Sequence, residues 1–447
     1  MNLINKLKEK NNLPCILLLI ILVRYIPVIA LNAFSKEPST GDRFIPTIIC
    51  CSLEIFLLLF FYFNNRKSIK LNLKNIIMLG VIMLIMGSVQ LKNIIQKNFY
   101  FRDVYNIGCI FLDIILFYIV LYDFKIEQKS FIVFLKSIMC FAIIAIIWNL
   151  VLFSKEILAE CGIIFENVDY TYLDNPKGFF GNRNILAFII YLAIICDVII
   201  INLDKEKKIY NILFFVFWFG IWCTHSKTAY IVTVFFIELY ILLNKKYNLK
   251  NKIIVCSLIG ILSILGFLNI MGRIPIGLSQ KMDIVENALV INDARVKNLS
   301  GRKEIWKSGL EVLNSSPINY IFGVGRINSI QILKRFEDRN YTEFHNLYLE
   351  IILTGGLIEL LYICFIYVSI IKKILKSDLK IIFKKIYMIM YMMYAMYIMF
   401  ESLGKFSMGP NDTLCLIFLI SIPLLHANSI KQIEEKQNSE IGKDDNE

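Results

Sequence analysis

A basic stretch that ends in a histidine holds the residues best suited to chemistry. Residues 271–345 carry eleven Lys and Arg and lie between two long apolar runs. Ser300-Gly301-Arg302 places an arginine at the start of a predicted helix, and His345 stands where the next apolar run begins. An arginine fork can bind two phosphate oxygens at once, and a histidine can serve as a general base near neutral pH. The stretch therefore predicts a site for an anionic, membrane-borne substrate.

Three more basic residues lie where an anion could meet them. Arg183, which precedes Asn184, and Lys227 each stand at the start of a predicted membrane helix, where the helix dipole also favours anions. Arg24 lies inside the first apolar run, and ionisable residues within a membrane are functional hypotheses by default. Structural roles stay open for each: a capping turn at Asn184, a solvated anchor at Lys227, a helix cap at His345 and helix pairing at Arg24.

The apolar runs that carry these residues are typical of a polytopic membrane protein. Of the 447 residues, 57% are hydrophobic and 19% are charged, and the mean hydropathy is +0.62. The sequence predicts an all-α fold, because a span needs about 20 mostly apolar residues and about twelve runs meet that criterion. These runs are residues 14–34, 45–63, 75–95, 104–122, 131–153, 184–202, 209–223, 228–243, 252–270, 346–371, 386–401 and 412–427.

The positive charges predict the orientation of these spans. With the amino terminus in the cytoplasm, the inside segments carry 25 Lys and Arg and the short outside segments carry 10. This asymmetry predicts a multi-pass membrane protein with both termini in the cytoplasm, and it accounts for the net charge of +12 without a nucleic acid partner. The predicted parts are spans one to nine (1–270), an outer loop (271–345), spans ten to twelve (346–427) and a disordered cytoplasmic tail (428–447).

The outer loop should itself be partly helical. Apolar residues recur at helical spacing from Ile305 to Leu313 and again from Ile327 to Phe336, which predicts a small helical cap on the outer face of the membrane. The eleven cysteines lie almost all in apolar runs, and the sequence has neither zinc-ligand spacing nor a nucleotide-binding loop. Neither a metal nor another cofactor is expected.

The order of several short motifs resembles one family. The motifs are Gly181-Asn182-Arg183-Asn184-Ile185-Leu186-Ala187, Ser226-Lys227-Thr228-Ala229, Ser300-Gly301-Arg302 with Trp306, Phe322-Gly323-Val324-Gly325, and His345-Asn346-Leu347-Tyr348-Leu349 with Gly355-Gly356. With the predicted spans and an outer loop between the ninth and tenth, this order resembles the O-antigen ligase / O-antigen polymerase family of bacterial envelope glycan enzymes. The resemblance covers roughly residues 175–365.

The resemblance implies a metal-independent glycosyltransferase without a cofactor. Its donor would be a saccharide on undecaprenyl diphosphate, and the lipid diphosphate would be the leaving group. Arg302 matches the loop arginine of the family, Lys227 stands where an arginine is common, and His345 would orient or deprotonate the acceptor hydroxyl. Arg183, Asn184, Asn346 and Arg24 are the other substrate-binding candidates. Membrane lipid, a chain-length regulator and a flippase are the expected partners.

Three alternatives to a polymerase stay open. A ligase would transfer the finished glycan to another acceptor by the same chemistry, and the sequence does not separate the two. A transporter or flippase for lipid-linked sugars would be expected to show paired repeats with discontinuous helices, and the sequence shows no such repeat. A non-catalytic scaffold of the envelope machinery is the weakest alternative.

Overall fold

A computed structural model describes residues 73–95, 126–160, 176–180, 182–203, 208–244, 248–270, 302–333, 343–403 and 418–430, with 52–53, 56–57 and 415–416. All regular structure in these residues is helical, which confirms the predicted fold class. The helices are α1 (Leu73–Ile95), α2 (Gln128–Leu152), α3 (Ser154–Glu160), α4 (Arg183–Leu203), α5 (Lys208–Cys223), α6 (Lys227–Leu243), α7 (Leu249–Ile270), α8 (Arg302–Asn314), α9 (Pro317–Phe322), α10 (Arg326–Leu333), α11 (Leu347–Lys376), α12 (Ile381–Tyr397) and α13 (Phe418–Ile430).

Several of these helices are suited to a membrane. In the described part of the chain, four are long and apolar enough to cross one, namely α2, α4, α7 and α11. Two shorter apolar helices, Ile209–Cys223 and Phe418–Ile430, accompany them. The predicted number of spans stays a prediction, because 14–34, 45–63 and 104–122 lie wholly or largely outside the described residues.

Helix α4 forms the centre of the bundle. Every residue from Ile185 to Ile200 is buried, and α2, α5, α6 and α12 pack around it. A helix that is apolar on all sides must be surrounded by protein or lipid. Helix α7 is apolar too, but it lies on the outside of the bundle, where most of its Ile, Leu and Val side chains are exposed. Helix ends that the charge pattern assigns to the outside are called outer ends below.

The three short helices α8, α9 and α10 pack on the first half of α11. Their small apolar core includes Ile305, Leu313 and Leu333, together with Phe344 and Leu353. The helix expected after Ser300 is α8. Helix α9 was not expected, and it begins with Pro317, a residue favoured in the first turn of a helix.

Candidate functional site

Three side chains from distant parts of the chain meet beside the outer ends of α11 and α12. Nη2 of Arg302, the first residue of α8, donates a hydrogen bond of 2.7 Å to Oε1 of Glu401. Nδ1 of His345 lies 3.4 Å from Oε2 of the same carboxylate. The side chain of Glu401 is only 3% exposed, whereas those of Arg302 and His345 are 18% and 22% exposed. A buried carboxylate therefore joins two more accessible groups.

These two partners keep the buried carboxylate charged. The ion pair with Arg302 and the contact with His345 favour the charged form of Glu401, because positive charge and hydrogen-bond donors stabilise a carboxylate. An imidazole whose Nδ1–H faces a carboxylate carries its lone pair on Nε2, and the carboxylate stabilises the protonated ring. The arrangement can therefore accept a proton on His345 and hold the Arg302 cation in a fixed place.

The backbone around His345 is tied to the chain segment that carries Glu401. His345 has a φ of 50°, a left-handed conformation that is uncommon for residues other than glycine. The next two amides fix it: Asn346 N–H donates to Ser402 Oγ over 3.2 Å, and Leu347 N–H donates to the Ile398 carbonyl over 2.9 Å. Such strained residues persist where the surrounding structure over-determines them, and they cluster at active sites.

Asn346 also caps α11, and this predicts the effect of its removal. Its Oδ1 accepts a hydrogen bond of 3.0 Å from Leu349 N–H. Asn346→Ala should lower the free energy of unfolding of the purified protein by about 1 kcal/mol, because the cap is lost. Asn346→Asp keeps an acceptor and should keep stability. An alanine variant as stable as the native chain would contradict the capping role.

Helix α8 is fixed against the start of α11, which sets the position of Arg302. Trp306 Nε1 donates a hydrogen bond of 2.8 Å to the carbonyl of Phe344, the residue before His345. A Cβ added at Gly309 would lie 3.0 Å from side-chain atoms of both Phe344 and Leu353. A larger residue on that face of α8 would require these neighbours to shift by a few tenths of an ångström.

The outer ends of α4 and α6 adjoin the same place through α12. Ser226 Oγ donates to Asn184 Oδ1 over 2.7 Å, and the Tyr397 hydroxyl donates to the Asn184 carbonyl over 2.8 Å. Tyr397 precedes Glu401 by four positions in the chain. The turn before α6 is thereby connected to the carboxylate centre.

The residues predicted from sequence therefore fall into two adjoining groups. Arg302, His345 and Asn346 form the first group, around Glu401. Asn184 belongs to the second, and the chain neighbours Arg183 and Lys227 are the first residues of α4 and α6. Arg24 lies outside the described residues.

Sequence reasoning missed Glu401. It is the last residue of the predicted span 386–401 and the one charged residue in that run. The one indication in the sequence was a single carboxylate at the outer end of an otherwise uncharged span. In the structure this carboxylate bonds to Arg302, which is 99 positions away in the chain.

Two glycine motifs form one backbone junction that holds the short helices on α11. Helix α11 kinks at Gly356, where φ is 75°. The amide of Val324 donates to the Leu353 carbonyl over 2.6 Å, and the amide of Gly325 donates to the Thr354 carbonyl over 3.0 Å. The turn after α9 thus supplies partners to carbonyls beside the kink. We call this arrangement the glycine junction.

Helix α1 is attached to the same turn. Lys92 Nζ donates to Oδ1 of Asn319 over 2.9 Å and also to the carbonyl of Gly323. Helix α1 thus helps to position the segment that leads from α8 to α10.

A second ionisable cluster lies deeper along α11. Arg326 Nη1 is 3.6 Å from Oε1 of Glu350, and Glu350 and Glu359 are both buried. Glu350 is one turn into α11, since its amide donates to the Asn346 carbonyl over 3.0 Å. Among the described residues, no group of three or more His, Cys, Asp and Glu side chains could hold a metal ion.

Comparison with known proteins gives a family match for part of the chain. Residues 212–364 match the family model described as O-antigen ligase. The match contains the predicted site residues from Lys227 to Asn346, and Glu401 lies beyond its end. No curated protein gave a match. The match and the apolar helices support ligase- or polymerase-type glycosyl transfer in surface glycan biosynthesis by a multi-pass inner-membrane protein. Over residues 212–364, the chain therefore carries a domain that is similar to the O-antigen ligase family.

Proposed function

We propose that the protein is a metal-independent glycosyltransferase that polymerises oligosaccharide repeat units into a surface polysaccharide of the O-antigen or capsule type. The units are carried on undecaprenyl diphosphate, and the reaction takes place on the outer face of the cytoplasmic membrane. The contact of one buried carboxylate with both Arg302 and His345 is the observation that supports this proposal. It combines a cation for a diphosphate with a base for a hydroxyl group.

The proposed step is a displacement at the anomeric carbon of the donor. An acceptor hydroxyl forms the new C1–O bond as the bond from C1 to the diphosphate oxygen breaks. Nε2 of His345 takes the hydroxyl proton, and Glu401 stabilises the resulting imidazolium. The lipid diphosphate leaves with the bonding electrons and gains one negative charge. The proton on His345 then passes to solvent or to the departing diphosphate.

Positive charge at the site offsets the charge that develops on the leaving group. A guanidinium has five N–H donors, so the bond from Arg302 to Glu401 does not exhaust its capacity for phosphate oxygens. In the proposal, Arg183 and Lys227 add charge at helix starts, where the dipole also favours an anion. Charge stabilisation of this kind acts most strongly in the transition state. Asn184, Asn346 and Arg24 are proposed to complete the substrate site.

A ligase is the second candidate, because the matching family model carries that description. It would use the same carboxylate centre and the same donor, and only the acceptor would differ. A chain-length regulator and a flippase are proposed partners of the polymerase.

The test uses cells that lack the native gene and express the intact chain, Arg302→Ala or His345→Ala. Surface glycan is run on a gel beside extracted lipid-linked oligosaccharide, and protein level is measured by immunoblot. Lys303→Ala is the matched control, because Lys303 is exposed and adjacent to Arg302 on α8. Both site variants should lose long polymer, with about 10²–10³-fold less transfer, whereas the control should resemble the intact chain.

The glycan pattern separates the candidates. Single units that still reach the surface acceptor, without long polymer, support the polymerase. Long polymer that stays on undecaprenyl diphosphate and misses the final acceptor indicates the ligase. Normal glycan in both site variants would show that the proposed site is wrong.

A further inference from the structure

Helix α12 has two faces of different chemistry. Its buried face carries four tyrosines whose hydroxyls bond to other parts of the protein: Tyr387 to His426, Tyr391 to Leu419, Tyr394 to Leu403 and Tyr397 to Asn184. Its opposite face, continued by the turn after it, carries side chains that are 38–49% exposed. These are Met388, Met392, Met396, Met399 and Phe400, which together are called the methionine stripe.

Contact with ordinary bilayer lipid does not explain why methionine is concentrated there. Residues 388–399 hold six of the 14 methionines in the chain. Helices α7 and α11 also expose apolar faces, yet neither contains a methionine; they expose Ile, Leu, Val and Phe instead. Methionine is unbranched, flexible and polarisable, so it adapts to irregular partners. These properties suit a long, methyl-branched, unsaturated chain.

The stripe also leads to the reaction centre. Phe400 is adjacent to Glu401, which binds Arg302, so the outer end of the stripe adjoins the proposed diphosphate site. Met388 and Met396 lie about 12 Å apart along the helix axis, at a rise of about 1.5 Å per residue. That length is enough to contact a few isoprene units of an extended chain. A lipid lying along the stripe would have its polar end beside Arg302.

We propose that the methionine stripe binds the polyprenyl chain of the lipid-linked donor and guides its diphosphate to Arg302. This inference rests on the proposed function, because it assumes a donor carried on a polyprenyl diphosphate. It adds a binding surface for the lipid portion, which the polar site alone cannot recognise. The protein should therefore bind a donor with a long prenyl chain more tightly than a donor with a short one.

The test measures transfer by the purified full chain from two donors with the same saccharide and diphosphate. One donor carries a long polyprenyl chain, and the other carries a chain of two isoprene units. The double variant Met392→Ala with Met396→Ala should raise KM for the long donor about tenfold, because apolar contact is lost. KM for the short donor and kcat for both donors should stay unchanged. The matched control is Leu258→Ala with Leu262→Ala on α7, which has the same spacing and similar exposure and should change neither KM.

A second measurement separates failure of the stripe from failure of the proposed function. A polyprenyl diphosphate with a photoreactive group in its chain is cross-linked to the intact protein, and the labelled peptides are mapped. Label concentrated at residues 388–400 supports the stripe, even if neither donor supports transfer, which would overturn the proposed function alone. Equal effects of the variant on both donors, or no effect, would overturn the stripe. Label spread over other exposed helices would also overturn it. So would a disulfide between two copies of a Met396→Cys variant, because the stripe would then lie at an interface between chains.

Discussion

Glu401→Gln should reduce glycosyl transfer by about 10²–10³-fold while the protein still accumulates in the membrane. The amide keeps the size of the side chain but loses the negative charge that Arg302 and His345 share. An imidazolium formed during the reaction would lose its stabilising partner, and Arg302 would lose its fixed position. Transfer from the lipid-linked donor by purified protein measures the rate, and an immunoblot of membranes measures the amount.

Two further variants make this prediction specific. Glu304→Gln changes an exposed carboxylate in the first turn of α8 and should leave the rate unchanged. The double variant Arg302→Ala with Glu401→Gln should be about as slow as the slower single variant, because groups that act as a unit give non-additive effects. Fully additive losses would show that the two side chains act separately. A Glu401→Gln protein with the native rate would remove the carboxylate from the mechanism.

Gly356→Ala should destabilise the protein by about 2–5 kcal/mol, because a left-handed backbone and a steric clash add together. The residue has a φ of 75°, and an added Cβ would lie 2.0 Å from the carbonyl oxygen of Ile321. Backbone atoms cannot move aside as a flexible side chain could. The glycine junction should therefore open, and α8 should lose its fixed position over α11. Thermal unfolding of the purified protein and its level in the membrane measure this effect.

Gly80→Ala is the matched control for that substitution. A Cβ at Gly80 meets nothing within 4 Å, and the residue lies inside α1. Alanine should be neutral there or stabilising by up to about 1 kcal/mol, since it favours a helix interior. If Gly356→Ala were as well tolerated as Gly80→Ala, the glycine junction would not hold the short helices in place.

The positions of the described membrane helices could be predicted because apolar length is a local property of the sequence. The run 184–202 corresponds to α4 at Arg183–Leu203, and the run 252–270 corresponds to α7 at Leu249–Ile270. Charge patterns could not show which of these helices is central. Whether a helix is central depends on what packs around it, and α4 and α7 have similar compositions but opposite burial.

The candidate site was predictable only in part, because contacts between distant residues are not a local property of the sequence. Arg302 and His345 stood out because each is a polar residue of a reactive type at the start of an apolar or amphipathic helix. Glu401 did not, because its role depends on contacts with residues 99 and 56 positions away. The motifs at Gly323 and Gly356 were visible in the sequence. Their hydrogen bonding to each other through Val324 and Gly325 required the folded chain.

The glycine junction has a consequence for how the protein is made. Carbonyls left without hydrogen-bond partners inside a bilayer cost several kcal/mol each. The carbonyls of Leu353 and Thr354 receive their partners from residues 324 and 325, which precede α11 in the chain. The first half of α11 can therefore settle fully only after residues 324 and 325 have folded back onto it. Folding of this half of α11 and folding of the segment before it are thus one coupled step.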